Sequence, residues 1–407
     1  MEALTTLKSL IVVLSLYFNP VTPYEDNVTT TNLPRDIAED AALTTVGLIF
    51  KYGFPVEKYN VTTQDGYVLE VHRIPKPGKQ PVLLQHGFLD SSATFVLMGP
   101  DKGLAYILSQ QGYDVWLGNS RGNRYSRKHV NISADDERFW KFSWHEMGVY
   151  DLPAVIDFIL RKSDFPKLHY IGHSQGTTSF FVMCSQRPNY NSKILLMQAF
   201  APVVYFFNVR TPFKTLLKNS LDTMSFASST LGLYELLPNL KRLSNFSQTA
   251  CWEHVQTHKY CSNLLFILAG YNEPQMNMTM LPVVYGHIPA GASIMQLIHY
   301  GQILKSGVFQ QYDYGRLANF LRYRTFEPPR YNLSRVTAPV ILHYADNDYL
   351  SAPEDVETLA KQLPGIVSKR MVPMRRFNHI DFIWGINSKE LLYSHVISNM
   401  KKIELGR

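Results

Sequence analysis

Cysteine is scarce in this chain: Cys184, Cys251 and Cys261 are the only three among 407 residues. That excludes a disulfide-dense scaffold. There is no His-Glu-x-x-His and no paired Cys/His spacing, so neither a metal nor any other cofactor is expected. Charge is also thin, at 18% of residues, and the net +7 is dispersed rather than gathered in blocks. Without a basic cluster interleaved with aromatics, nucleic acid is not an expected partner. Long apolar runs are missing too. The best candidate, "SLIVVLSLYF" at 9–18, is too short to span a bilayer, and no second run is long and apolar enough to do so, so no transmembrane segment is expected. Low-complexity stretches and fixed-period repeats are likewise absent.

What is present is ample apolar material, 45% of residues with 13% aromatic, enough for one large core or a core with an inserted lobe. The short apolar run follows Lys8 and precedes Asn19 and Pro20, which predicts a secretory signal over residues 1–22. Six Asn-X-Ser/Thr sequons, at Asn27, Asn60, Asn131, Asn245, Asn277 and Asn332, agree with export and glycosylation. The expected location is the secretory pathway, ending outside the cell or in a lysosome. In such an oxidising compartment Cys251 and Cys261 could close a short loop, a link contributing roughly 2–3 kcal/mol. Cys184 lies in an apolar helical stretch and reads as a buried, inert thiol.

Along the chain, residues 56–75 read as two alternating strands around Asp65-Gly66, a hairpin signal. Short apolar runs at 81–87, 113–120, 167–172 and 193–202 read as buried strands. Between the second and third of these runs lies "YDLPAVIDFILRK" (150–162), helical by spacing, with Asp151 placed to cap and Pro153 in its first turn. Strands alternating with helices predict a mostly parallel sheet covered on both faces. From about 205 to 330 the pattern is helical and rich in aromatics and methionine, with no convincing buried strand. Strand patterns return at 339–348 and 369–374, and 389–403 reads as a closing helix.

One string carries chemistry. Gly172-His173-Ser174-Gln175-Gly176 follows a predicted strand and opens a predicted helix, the setting a nucleophile elbow requires. The turn is tight enough to strain the serine backbone, and Gly172 and Gly176 leave room for close neighbours. A serine hydroxyl needs a base, and the base an orienting acid, in the order Ser, Asp/Glu, His for this architecture. Of 13 histidines, His379 in "RFNHIDF" follows the last strand pattern, whereas His343 lies inside a strand and His395 on the terminal helix. Asp346 and Asp348 both end the preceding strand, and their spacing of two leaves both open. Asp381 is too near His379 in sequence to reach the right ring nitrogen. An oxyanion needs two backbone amides, expected from Gln175 and from Phe88 in "QHGF".

With those residues in place the chain resembles the acid lipase family, the gastric and lysosomal acid lipases and their insect relatives. The resemblance rests on "LLQHGFLDSSATF", "GYDVWLGNSRGNRYSR", "FSWHEMGVYDLPAVIDFI", "HYIGHSQGTT", "HIPAGASIMQLIHYGQ", "SGVFQQYDYG" and "NHIDFIWG", and runs from about residue 45 onward. It implies an α/β-hydrolase fold, with core segments at 45–204 and 331–407 and a helical cap or lid inserted at 205–330. It assigns the triad to Ser174, Asp348 and His379, because "DYLSAPEDV" aligns with the stretch after the family's acid. It puts the oxyanion amides on Phe88 and Gln175, and makes Cys251–Cys261 a cap disulfide.

The implied activity is hydrolysis of neutral-lipid esters, triacylglycerols or cholesteryl esters, at a lipid–water interface, with no cofactor. Serine at the elbow argues against an epoxide hydrolase or dehalogenase, which would carry aspartate there. Three filled triad positions argue against a silent lipid-binding protein. An acyltransferase or peptidase on the same fold is the remaining alternative.

Overall fold

A computed structural model describes residues 34–238, 250–254 and 257–406. The stretch 1–22 expected to be a signal, Asn27 and Asn245 lie outside the described residues. Nine strands form one sheet: β1 (Glu57–Thr62), β2 (Tyr67–Ile74), β3 (Pro81–Gln85), β4 (Asp114–Leu117), β5 (Lys128–His129), β6 (Leu168–His173), β7 (Ile194–Phe200), β10 (Val340–Tyr344) and β11 (Ile366–Met371). Their order is β1-β2-β4-β3-β6-β7-β10-β11, with β5 beside β2. Every pair from β4 to β11 is parallel, and the β1–β2 hairpin joins antiparallel at one edge.

The inner strands β3, β4, β6, β7 and β10 are largely apolar because both of their faces are covered. On one face Leu83 and Trp116 pack with Val155, Ile156 and Ile159 of α2 (Leu152–Ser163) and with Phe180 and Phe181 of α3 (Gln175–Gln186). On the other, Val82, Leu84, Val115 and Leu117 meet Leu104 and Leu108 of α1 (Leu104–Gln110) and Val396 and Met400 of α8 (Ser394–Glu404). Adjacent residues of one strand therefore serve opposite layers.

Between β7 and β10 the chain leaves the sheet and forms α4 (Phe213–Thr230), α5 (His258–Ala269), α6 (Ile294–Ser306) and α7 (Arg316–Tyr323). A short antiparallel ladder, β8 (Glu235–Leu236) with β9 (Ala292–Ser293), also lies here, and β9 is buried. No strand was expected in this stretch, because a two-residue ladder is too short to show alternation. Cys251 and Cys261 are joined as a disulfide, and Cys184 is free and buried. No helix among the described residues is long and apolar enough to cross a membrane. Of the described sequons, Asn60, Asn131 and Asn332 are exposed and Asn277 is half-buried.

Two local expectations differ from what is observed. The last strand starts at Ile366, not 369, because it is a largely exposed edge strand without a continuous apolar signal. Asp151 does not cap α2: a π turn (Met147–Asp151) continues into that helix, and the Asp151 carboxylate is drawn to Arg121 instead.

The guanidinium of Arg121 is buried and donates through Nε to Asp151 Oδ1 at 2.7 Å and through Nη1 to Asp65 Oδ2 at 2.6 Å. Its own amide donates to Asp151 Oδ2 at 3.1 Å. It thus ties the turn after β4 to the hairpin and to α2. Removing the cation would strand the buried Asp151. Arg121→Leu is expected to cost about 3–5 kcal/mol in urea unfolding. A loss under about 1 kcal/mol would show the cluster to be dispensable.

Candidate active site

Ser174 sits between β6 and α3 with φ 53° and ψ −119°, a conformation L-residues rarely adopt. Its amide donates to Phe200 O at 3.0 Å, which fixes the elbow to β7. The flanking glycines answer a packing need. A Cβ on Gly176 would lie 2.4 Å from Gln85 O, and one on Gly172 would lie 2.9 Å from the Gly176 carbonyl carbon. Helix α3 can therefore start directly against the end of β3.

His379 follows β11 in a loop, and its ring is buried. Nδ1 lies 3.0 Å from Asp348 Oδ1 and 2.9 Å from Oδ2, so Nδ1–H donates to the carboxylate and Nε2 is left as the basic nitrogen. Asp348 is fully buried, and its Oδ1 also accepts the amides of Leu350 (2.9 Å) and Ser351 (2.7 Å). Asp346 is exposed, and among the described residues only its backbone carbonyl is engaged, by Arg210 at 2.7 Å. Asp381 accepts from Asn272 and from the Asn378 amide, and among the described residues it makes no hydrogen bond to the His379 ring. Of the candidate acids, the fold brings Asp348 alone to the histidine.

His379 is delivered to the elbow by its backbone. Its amide donates to Ala269 O at the end of α5 (3.2 Å), and its carbonyl accepts Nε2–H of His173 at 2.9 Å. The two rings lie 4.9 Å apart between centroids. His173 immediately precedes Ser174, so one residue joins the serine turn to the histidine loop.

The turn after β3 closes the other side. A Cβ on Gly87 would come within 3.1 Å of the Ser174 Cβ. Next in chain is Phe88, and neither its amide nor that of Gln175 has a hydrogen-bond partner among the described residues. His86 Nδ1–H donates to Gly87 O at 2.8 Å, on the same peptide unit as the Phe88 amide. His86 Nε2 accepts the Ser120 amide at 3.1 Å and is 3.2 Å from Asn123 Nδ2. These contacts set the plane of the Gly87–Phe88 peptide. The roles of His86 and His173 were not visible in the sequence. Each abuts a motif residue, which is the only cue, and only their bonds show what they hold.

Burial sets the ionisation of this shell. It pushes His86 down to about 4 and His173 to about 3, so both are neutral at mildly acid pH. Burial also pushes the Asp90 and Asp381 carboxyls up to about 7. The histidines, depressed on folding, contribute stability above about pH 6.5 that is lost as pH falls toward 4. The carboxyls, raised on folding, contribute stability fully present below about pH 4 that is lost as pH rises to about 7. The two effects oppose each other over one window. Asp381→Asn removes part of the offset, so this variant should lose ~2 kcal/mol more than the parent between pH 7 and pH 5 in urea unfolding. Equal losses in the two proteins would contradict the assignment.

A parallel sheet, a strained serine between strand and helix, and a carboxylate-backed histidine from a later loop together define an α/β hydrolase. Residues 80–386 match the model of the alpha/beta hydrolase fold family, and residues 45–99 match that of a partial alpha/beta-hydrolase lipase region. The chain is 46% identical over 376 residues to Lipase 1 of Drosophila melanogaster, covering 91% of this chain and 83% of that protein. It is 40% identical over 363 residues to gastric triacylglycerol lipase of Mus musculus, covering 87% and 90%. The crystal structure of a putative lipase from Sulfolobus solfataricus matches with a TM-score of 0.55 at 12% identity, covering 82% of this chain and 90% of that one, a likeness of fold. The chain belongs to the acid lipase family of α/β hydrolases and is a carboxylic ester hydrolase.

Proposed function

We propose that this protein is a serine lipase that hydrolyses esters of neutral lipids, triacylglycerols or cholesteryl esters, through an acyl-enzyme on Ser174. The observation that carries this reading is the hold of both Asp348 oxygens on His379 Nδ1, with His379 bonded through its carbonyl to the residue before Ser174. His379 Nε2 takes the hydroxyl proton as Ser174 Oγ attacks the acyl carbonyl. The Phe88 and Gln175 amides receive the oxyanion. The alcohol leaves with the proton from His379, and water activated by the same nitrogen then releases the fatty acid. Asp348 holds the ring and balances its transient positive charge.

The segment 205–330 acts as a cap over this centre, part of it opening at a lipid–water interface. Its contacts support that role: α5 supplies Ala269 O to both Tyr349 and His379, and Gln296 of α6 accepts from the Gln175 side chain at 2.7 Å. Export to the cell exterior or to lysosomes is supported by the disulfide and the exposed sequons. Hydrolysis of emulsified triacylglycerols and sterol esters from about pH 4 to about pH 8 tests the substrate class. Turnover of at least one class is expected. Activity on neither, with soluble esters still cleaved, would remove the lipid assignment.

A further inference from the structure

Helix α7 is mounted with its apolar side outward. Its inward residue is Asn319, buried, which donates to Asp313 Oδ1 (2.7 Å) and Phe326 O (3.1 Å) and accepts the Tyr314 amide (2.9 Å). Tyr323 adds a bond from its hydroxyl to Tyr312 O at 2.9 Å. Polar contacts thus fasten the helix, and its aliphatic residues serve no core: Leu317 is 80% exposed and Leu321 72%. Phe320 and Phe326 stack with centroids 5.0 Å apart and stay 44% and 46% exposed beside them.

The patch is also cationic. Arg316, Arg324 and Arg330 are exposed and form no ion pair among the described residues. Arg322 reaches Glu146 only at 4.0 Å. Glu327 is the one exposed carboxylate within 316–330, and Asp313 nearby is committed to the Gly315 amide and to Asn319. A second copy of this chain is a poor occupant, since a two-fold pairing would set arginines against arginines. Aliphatic side chains bordered by guanidiniums on an outward helix suit an interface where hydrocarbon lies beneath negative headgroups.

We infer that α7 and the following turn to Arg330 form a docking face for a lipid surface bearing anionic phospholipid. Leu317 and Leu321 enter the acyl boundary while the arginines meet the headgroups. This binding needs no catalysis, so its failure would leave the ester reaction untouched.

The test is flotation of the full chain with vesicles of phosphatidylcholine alone or with about 30 mol% phosphatidylserine. Preferential binding to the anionic vesicles is expected, released by about 0.5 M salt. Arg316→Gln with Arg324→Gln should weaken partitioning about thirty-fold. Leu317→Ser with Leu321→Ser should weaken it at least about ten-fold. Both variants should cleave a soluble short-chain ester at the parental rate, which shows that they fold. Equal binding to both vesicle types, undiminished binding by both variants, or binding to neither vesicle would overturn the inference. A dimer in sedimentation that the leucine variant abolishes, without vesicle binding, would give the face to a second copy instead.

Discussion

Ser174→Ala is expected to lower kcat for ester hydrolysis by ~10⁶-fold while leaving substrate binding nearly unchanged. In the proposed mechanism the hydroxyl oxygen is the atom acylated, and alanine offers no nucleophile in its place. Residual turnover would come from the two free amides and from binding alone. The backbone offers a second readout. At φ 53° any side chain is strained, and glycine relieves that strain. Ser174→Gly should therefore be as inactive as Ser174→Ala yet more stable than the parent, by about 1 kcal/mol. Inactivity coupled to a gain in stability separates loss of a nucleophile from loss of the fold. Activity within about ten-fold of the parent in either variant would be incompatible with an acyl-enzyme at this residue.

Asp348→Asn should cost about 10⁴-fold in kcat. The reason lies in the carboxylate's own bonds. Oδ1 accepts the Leu350 and Ser351 amides, and an asparagine oxygen would keep those contacts. Its Nδ2 would then replace Oδ2, 2.9 Å from His379 Nδ1. A donor there forces the ring into the Nε2–H tautomer, which has no lone pair to take the serine proton. Asp346→Asn, two residues away and exposed, should stay within about two-fold of the parent. A reversed pattern, with Asp346 essential and Asp348 silent, would contradict the geometry.

These two carboxylates show how far the sequence could be read. Strand and helix periodicity placed the elbow, the acid-bearing strand end and the histidine loop, because each lies where an apolar run stops. Spacing could not separate Asp346 from Asp348. Alternation assumes an extended chain, but beyond β10 the backbone turns: the Asp348 amide bonds to Ala345 O, Asp348 goes inward and Asp346 stays in solvent. Asp151 departs from its local pattern for a related reason. Its position before Pro153 has the form of a cap, but a buried guanidinium 30 residues earlier in the chain holds the carboxylate, and local pattern carries no information about such a partner. His86 and His173 hold peptide units, a role that depends on ring direction and leaves no mark in the sequence pattern. The outward mounting of α7 was equally hidden, since its spacing is that of any amphipathic helix.

The most direct measurement is reaction of the intact protein with a fluorophosphonate, followed by mass spectrometry of the digest. One adduct is expected, on the peptide carrying Ser174, formed far more slowly in Asp348→Asn and absent in Ser174→Ala. An adduct on another serine that tracks the loss of esterase activity would place the nucleophile elsewhere and end the case for this elbow.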